Sequence, residues 1–84
     1  MRIDYHKKFK KALQKQPSKI QGKFFNVLDI FVKDQYHHSL HNHSLSGKYI
    51  GIHSFNITPD VRVHYRIENE GVILLNIGTH SQLY

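Results

Sequence analysis

The sequence predicts an α+β fold: an N-terminal helical hairpin packed on one face of a three- to four-stranded antiparallel sheet. Three observations predict it. Apolar residues recur at helical spacing in the first half of the chain and at strand spacing in the second. Pro17 divides the helical half in two. Pro59-Asp60 and Asn69-Glu70-Gly71 divide the second half into short runs, and connections this tight join strands as antiparallel neighbours.

Each element has its own signal. Over residues 5–16, Tyr5, Phe9, Ala12 and Leu13 form one apolar stripe. Lys7, Lys8, Lys10, Lys11 and Lys15 fall mostly on the other face and read as solvated charge. Ser18 with Gln21 has the capping-box spacing, which predicts a second helix from Ser18 to about Asp34. Ile20, Phe24, Val27, Leu28 and Phe31 form its stripe. Residues 36–49 are polar and read as a loop. Residues 49–57, 61–67 and 72–77 read as three strands, and Arg2 to Tyr5 is a candidate fourth. In the middle run Val61, Val63, Tyr65 and Ile67 alternate with Arg62, His64 and Arg66, so the sheet turns a basic face away from the helices.

The 84 residues suffice for one domain, 1–84. Nothing reads as a signal peptide or a membrane span, and the absence of cysteine suits the cytosol. Twelve Lys and Arg against six Asp and Glu give a formal charge of +6, which implies a polyanionic or acidic partner.

Eight histidines stand out. His37, His38, His41 and His43 cluster, but their spacing matches no zinc pattern, so the tract reads as a solvated loop without a metal. A second, dispersed set joins His43, Asp60 and His80 to His53, His64, Arg62 and Arg66 on adjoining strands. These groups suffice for phosphodiester cleavage. A base deprotonates a ribose 2′-hydroxyl, an acid protonates the leaving 5′-oxygen, and cations stabilise the transition state. RNA carries its own nucleophile, so no metal or cofactor is required.

The order of motifs then becomes specific. Asn42-His43-Ser44-Leu45-Ser46-Gly47, Tyr49-Ile50-Gly51-Ile52-His53, Ile57-Thr58-Pro59-Asp60, Val63-His64-Tyr65-Arg66-Ile67 and Gly78-Thr79-His80-Ser81-Gln82-Leu83-Tyr84 follow one another. This series resembles the RelE/ParE toxin superfamily, most closely its YafQ branch. The resemblance covers nearly the whole chain, including Phe9-Lys10-Lys11-Ala12-Leu13 in the first helix. It implies a RelE-like fold and the toxin of a type II toxin–antitoxin pair. Such a toxin is a cytoplasmic protein, a monomer when free, that cuts mRNA in the ribosomal A site and is neutralised by a cognate antitoxin.

Carried over residue by residue, the resemblance implies His80 as general acid and Asp60 and His43 as base or orienting groups. Tyr84 stands where the branch has a base-stacking Phe. Beside that carry-over, the residues themselves suggest that Arg62, Arg66 and His64 on the open sheet face would bind RNA, that Lys48 would add a backbone contact, and that Asn56 would hydrogen-bond a phosphate or base. The chain departs from the branch at four places: Asn56 for a histidine, Val61 for an aromatic, and Asn76 and His53 for arginines. Two alternatives stay open: a family member that binds antitoxin without cutting RNA, and a ParE-like toxin with another target.

Overall fold

The computed structural model describes residues 1–84. The chain opens with strand β1 (Arg2–Tyr5) and continues into helices α1 (Lys7–Gln14) and α2 (Ser18–Lys33). Strands β2 (His43–Ser44), β3 (His53–Asn56), β4 (Val61–Glu68) and β5 (Gly71–Thr79) follow, and α3 (His80–Leu83) is a single helical turn.

The sheet has five strands in the order β1-β5-β4-β3-β2. It is mixed rather than antiparallel, because β1 runs parallel to β5 while every other pair is antiparallel. This corrects the expected architecture in two respects. The helical pair does not begin the chain but is the crossover between β1 and the rest. The fifth strand, β2, is two residues long and lies within the expected loop, too short to leave a period-2 signal. Gly71 makes the parallel edge possible, since a Cβ there would collide with the backbone of Arg2.

The core lies between the helices and one sheet face. Phe9, Phe24 and Phe31 meet Phe55, Val63, Tyr65, Leu74 and Ile77, all fully or almost fully buried. Phe31 stacks on Phe55 with ring centroids 4.6 Å apart and meets Tyr65 edge-on at 5.2 Å, geometries that aromatic quadrupoles favour. Tyr65 donates its hydroxyl proton to Asn42 Oδ1 at 2.8 Å, which satisfies the one polar atom this ring brings into the core. Ile67, expected in that core, is 51% exposed near the end of β4.

Local expectations changed where turn chemistry overrode pattern. Ser18 makes no capping bond. Pro17 is the N-cap, its carbonyl accepting from the amides of Ile20 and Gln21, while the Gln21 side chain donates back to the carbonyls of Gln14 and Gln16. The expected strand from 49 to 57 shortens to β3. A 3-10 turn at Gly47–Tyr49 and a left-handed Gly51 at φ +89° break its first half, a conformation glycine adopts without strain. No helix is long and apolar enough to cross a membrane.

Candidate active site

Register decides which side chains share the face turned away from the helices. Directly opposed residues in a ladder lie on the same face. His43 faces Ser54, Ser54 faces His64, and His64 faces Asn76, so one row of polar side chains crosses four strands. Two residues along, Asn56, Arg62 and Gly78 form a second row. His53 belongs to the other face. It lies opposite the core residue Tyr65 and stacks on its ring at 5.3 Å, away from the rest of the set.

At the end of the sheet, Val61 lies opposite Thr79. Asp60 precedes Val61 and His80 follows Thr79, so both project beyond the last pair. The turn before Asp60 is built by Thr58, whose hydroxyl accepts from the amides of Asp60 at 3.2 Å and Val61 at 2.9 Å. Asp60, Arg62, His80 and Ser81, with Pro59 and Thr79, line one open cavity of about 350 Å³. Arg62 reaches the Pro59 carbonyl at 3.5 Å, the edge of hydrogen-bond range, and its Nε is buried without a partner. A guanidinium that lines an open cavity is suited to an oxyanion. Val61 itself is buried in the core, so the position after Asp60 contributes packing.

His80 is the first residue of α3 and is exposed. Its ring lies 4.8 Å from that of Tyr84. Tyr84 turns back across the sheet, and its hydroxyl lies 2.9 Å from His64 Nε2. A neutral imidazole with its proton on Nδ1 accepts that hydroxyl's proton. His64 is held neutral: burial, then the charges of His43 and Arg62, push its pKa below the ordinary histidine value. Burial pushes the Tyr84 phenol up, against the pull of Arg62, so it stays protonated near neutral pH.

This corrects one expectation. The strand alternation predicts His64 as an open-face RNA contact, but it is 5% exposed beneath Tyr84 and Tyr49. It holds Tyr84, a residue that remains 45% exposed.

The remaining candidates scatter. His43 donates from Nδ1 to the His41 carbonyl at 2.9 Å, which leaves Nε2 with a free lone pair. It sits two strands across and two residues along from Arg62, roughly 12 Å by strand geometry. Lys48 lies over the Tyr49 ring at 5.3 Å, on the rim behind Tyr84. Arg66 lies beyond a bulge in the β4–β5 pairing, bonded to Glu68 at 3.1 Å and absent from the cavity. Asn56 lines a separate recess with Lys23, Ser39 and His41. Asn76 turns its side chain onto its own strand, accepting from the Ile77 amide at 3.0 Å. No three His, Asp or Glu side chains converge where they could hold a metal.

Four contributors were missed in the sequence. Tyr49 packs edge-on against Tyr84 at 5.0 Å, a contact that its motif does not signal. Ser54, fully buried between His43 and His64, leaves its hydroxyl unpartnered. Thr79 and Gln82 form a complete capping box at α3, and their spacing is the Ser/Thr-x-x-Gln signature that could have found them.

A family model described as the bacterial toxin of type II toxin–antitoxin systems, YafQ, matches residues 1–84. The chain belongs to the YafQ toxin family. Similar folds include YafQ from E. coli strain BL21(DE3), with a TM-score of 0.83 at 16% identity, covering 99% of this chain and 97% of that one. The E. coli DinJ–YafQ toxin–antitoxin complex gives a TM-score of 0.80 at 17% identity, covering 99% and 96%. A copper-bound mutant toxin from Helicobacter pylori gives a TM-score of 0.74 at 25% identity, covering 100% and 99%. The comparison with curated proteins gives no match.

Proposed function

We propose that this YafQ-family chain is a ribosome-dependent endoribonuclease that cuts mRNA by 2′-hydroxyl attack. The observation that carries the reading is the cavity shared by Asp60, Arg62 and His80. A phosphodiester seated there meets a carboxylate, a guanidinium and an imidazole at once.

In the proposed reaction Asp60 accepts the 2′-hydroxyl proton. The 2′-oxygen attacks phosphorus, and the bond to the 5′-oxygen breaks as His80 delivers a proton to that oxygen. The products are a 2′,3′-cyclic phosphate and a 5′-hydroxyl. Arg62 stabilises the charge that develops on the phosphoryl oxygens, where a preorganised donor contributes most. Tyr84, steadied by neutral His64, presents its ring for stacking on a base, an interaction worth roughly 1–3 kcal/mol. His43, with Nε2 free, is the alternative base if the substrate reaches across two strands.

The +6 charge supports binding both to RNA and to an acidic antitoxin segment. The DinJ–YafQ complex among the structural neighbours supports a cognate antitoxin as the cellular partner.

Cell-free translation with mapping of mRNA ends tests the reading. Wild type should cut mRNA on programmed ribosomes, and His80→Ala should slow cutting by about 10²-fold or more, as loss of a general acid does. Intact mRNA with wild type would remove the enzyme reading. A second reading, a member that binds antitoxin without cutting, is favoured by Asn76, which is turned onto its own strand rather than into the cavity. Normal growth on overexpression with retained antitoxin binding would support it.

A further inference from the structure

Helix α3 is one turn long, and an isolated turn does not hold itself together, since helix nucleation is unfavourable. Yet it carries His80 at one end and leads to Tyr84 at the other. Two attachments hold it. Tyr84 is fastened to the sheet through His64. The other attachment is a glutamine chain that runs into the helical layer. Gln82 Oε1 accepts from the Thr79 amide at 2.8 Å and, in a second bond, from Gln16 Nε2 at 3.2 Å. Thr79 Oγ1 accepts from the Gln82 amide at 3.3 Å, which closes the cap.

Gln16 is 9% exposed, one of few polar side chains buried in this small protein. It sits in the link between α1 and α2, where its own carbonyl accepts from Gln21 Nε2 at 2.9 Å. Gly78 is part of the arrangement: a Cβ there would lie 2.8 Å from Gln82 Oε1 and 2.9 Å from Gln82 Cβ, so only glycine leaves room for the folded-over side chain.

We propose that Gln82 and Gln16 are positioning residues, which set His80 against Asp60 and Arg62 by tying α3 to the α1–α2 junction. The inference rests on the ribonuclease reading above for its kinetic consequence, not for its structural one. Neither glutamine touches the phosphodiester; each acts through the backbone of Thr79. Releasing either would let His80 shift relative to the cavity, and displacement of a catalytic group by about 1 Å can slow a reaction about 10²-fold.

Gln82→Met and Gln16→Met test this, since methionine keeps side-chain length and helix propensity while removing the bonds. Per folded molecule, each should lower kcat about tenfold to 10²-fold with KM unchanged. The double variant should be no slower than the worse single, because both act in one network. Gln82→Glu, whose carboxylate accepts both bonds, should restore cutting to within about threefold of wild type. Nuclear magnetic resonance reads the structural half independently of RNA cleavage. Contacts between the His80 and Tyr84 rings, and slow exchange of the Thr79 amide, should persist in wild type and Gln82→Glu and be lost in both methionine variants. Should wild type cut no RNA while this spectral pattern holds, the ribonuclease reading fails and the tie stands. Spectra of both methionine variants that keep the His80–Tyr84 contacts would overturn the proposal, as would rate losses accounted for by unfolded protein alone.

Discussion

Val61 and Thr79 face each other across β4 and β5, and Asp60 and His80, one step outside that pair, meet at the same end of the sheet. Seventeen residues of β-hairpin lie between Val61 and Thr79 in sequence, so only register joins the two groups. A slip of one residue in this pairing would turn His64 and Arg62 toward the helices and separate the cavity's walls.

Arg62 tests the cavity's charge. Its side chain lines the cavity beside Asp60 and His80, where a guanidinium would meet the phosphodiester. Arg62→Ala should lower kcat by roughly 10²- to 10³-fold, the range for losing one preorganised donor to a developing charge. Arg62→Lys should recover only part of this, because an ammonium does not reproduce the planar fork of the guanidinium. Single-turnover cleavage of a ribosome-bound message measures both.

Tyr84→Phe removes one hydroxyl and keeps the ring. The lost bond to His64 Nε2 should destabilise the fold by about 0.5–1.5 kcal/mol, the usual net value of such a bond, read by urea denaturation. Cutting should fall modestly, since the stacking face survives. Tyr84→Ala removes that face as well and should weaken substrate binding by a further ~1–3 kcal/mol.

His64 makes stability pH-dependent in a definite direction. Its pKa in the folded protein lies below the ordinary histidine value, first because of burial and then because of His43 and Arg62. The unfolded chain therefore takes up its proton at higher pH than the folded one. The contribution of His64 is complete above about pH 6.5 and is lost as pH falls through that value toward the folded pKa. Denaturation midpoints measured from pH 8 to 5 should decline, and His64→Gln should flatten this part of the decline. An unchanged slope in the variant would assign it to other histidines.

Much of the fold was legible because its signals are periodic. Val61, Val63 and Tyr65 alternate with Arg62 and His64, and the helical stripe of Phe24, Val27, Leu28 and Phe31 is unbroken. What escaped depended on few residues or on distant contacts. Strand β2 has two residues, and the parallel seat of β1 depends on the missing side chain of Gly71. The capping-box spacing was present twice, at Ser18 and at Thr79. Only Thr79 uses it, because Pro17 already begins α2.

The candidate site divided along the same line. Asp60, Arg62 and His80 converge as their motifs suggest. His64 is buried because Tyr84 folds back over it, a contact across twenty residues that no local pattern encodes. Arg66 shares the alternation of Arg62 but lies past the bulge, and period alone does not locate a bulge.

The most direct measurement is the rate of mRNA cleavage on programmed ribosomes by wild type, Asp60→Asn, His80→Ala and the double variant. If the two groups act on one phosphodiester, each single variant should be slower by about 10²-fold or more. The double should then be far less impaired than the product of the two losses, since groups that act as a unit are not additive. Intact mRNA with wild type, or an Asp60→Asn variant that cuts at the wild-type rate, would contradict the account.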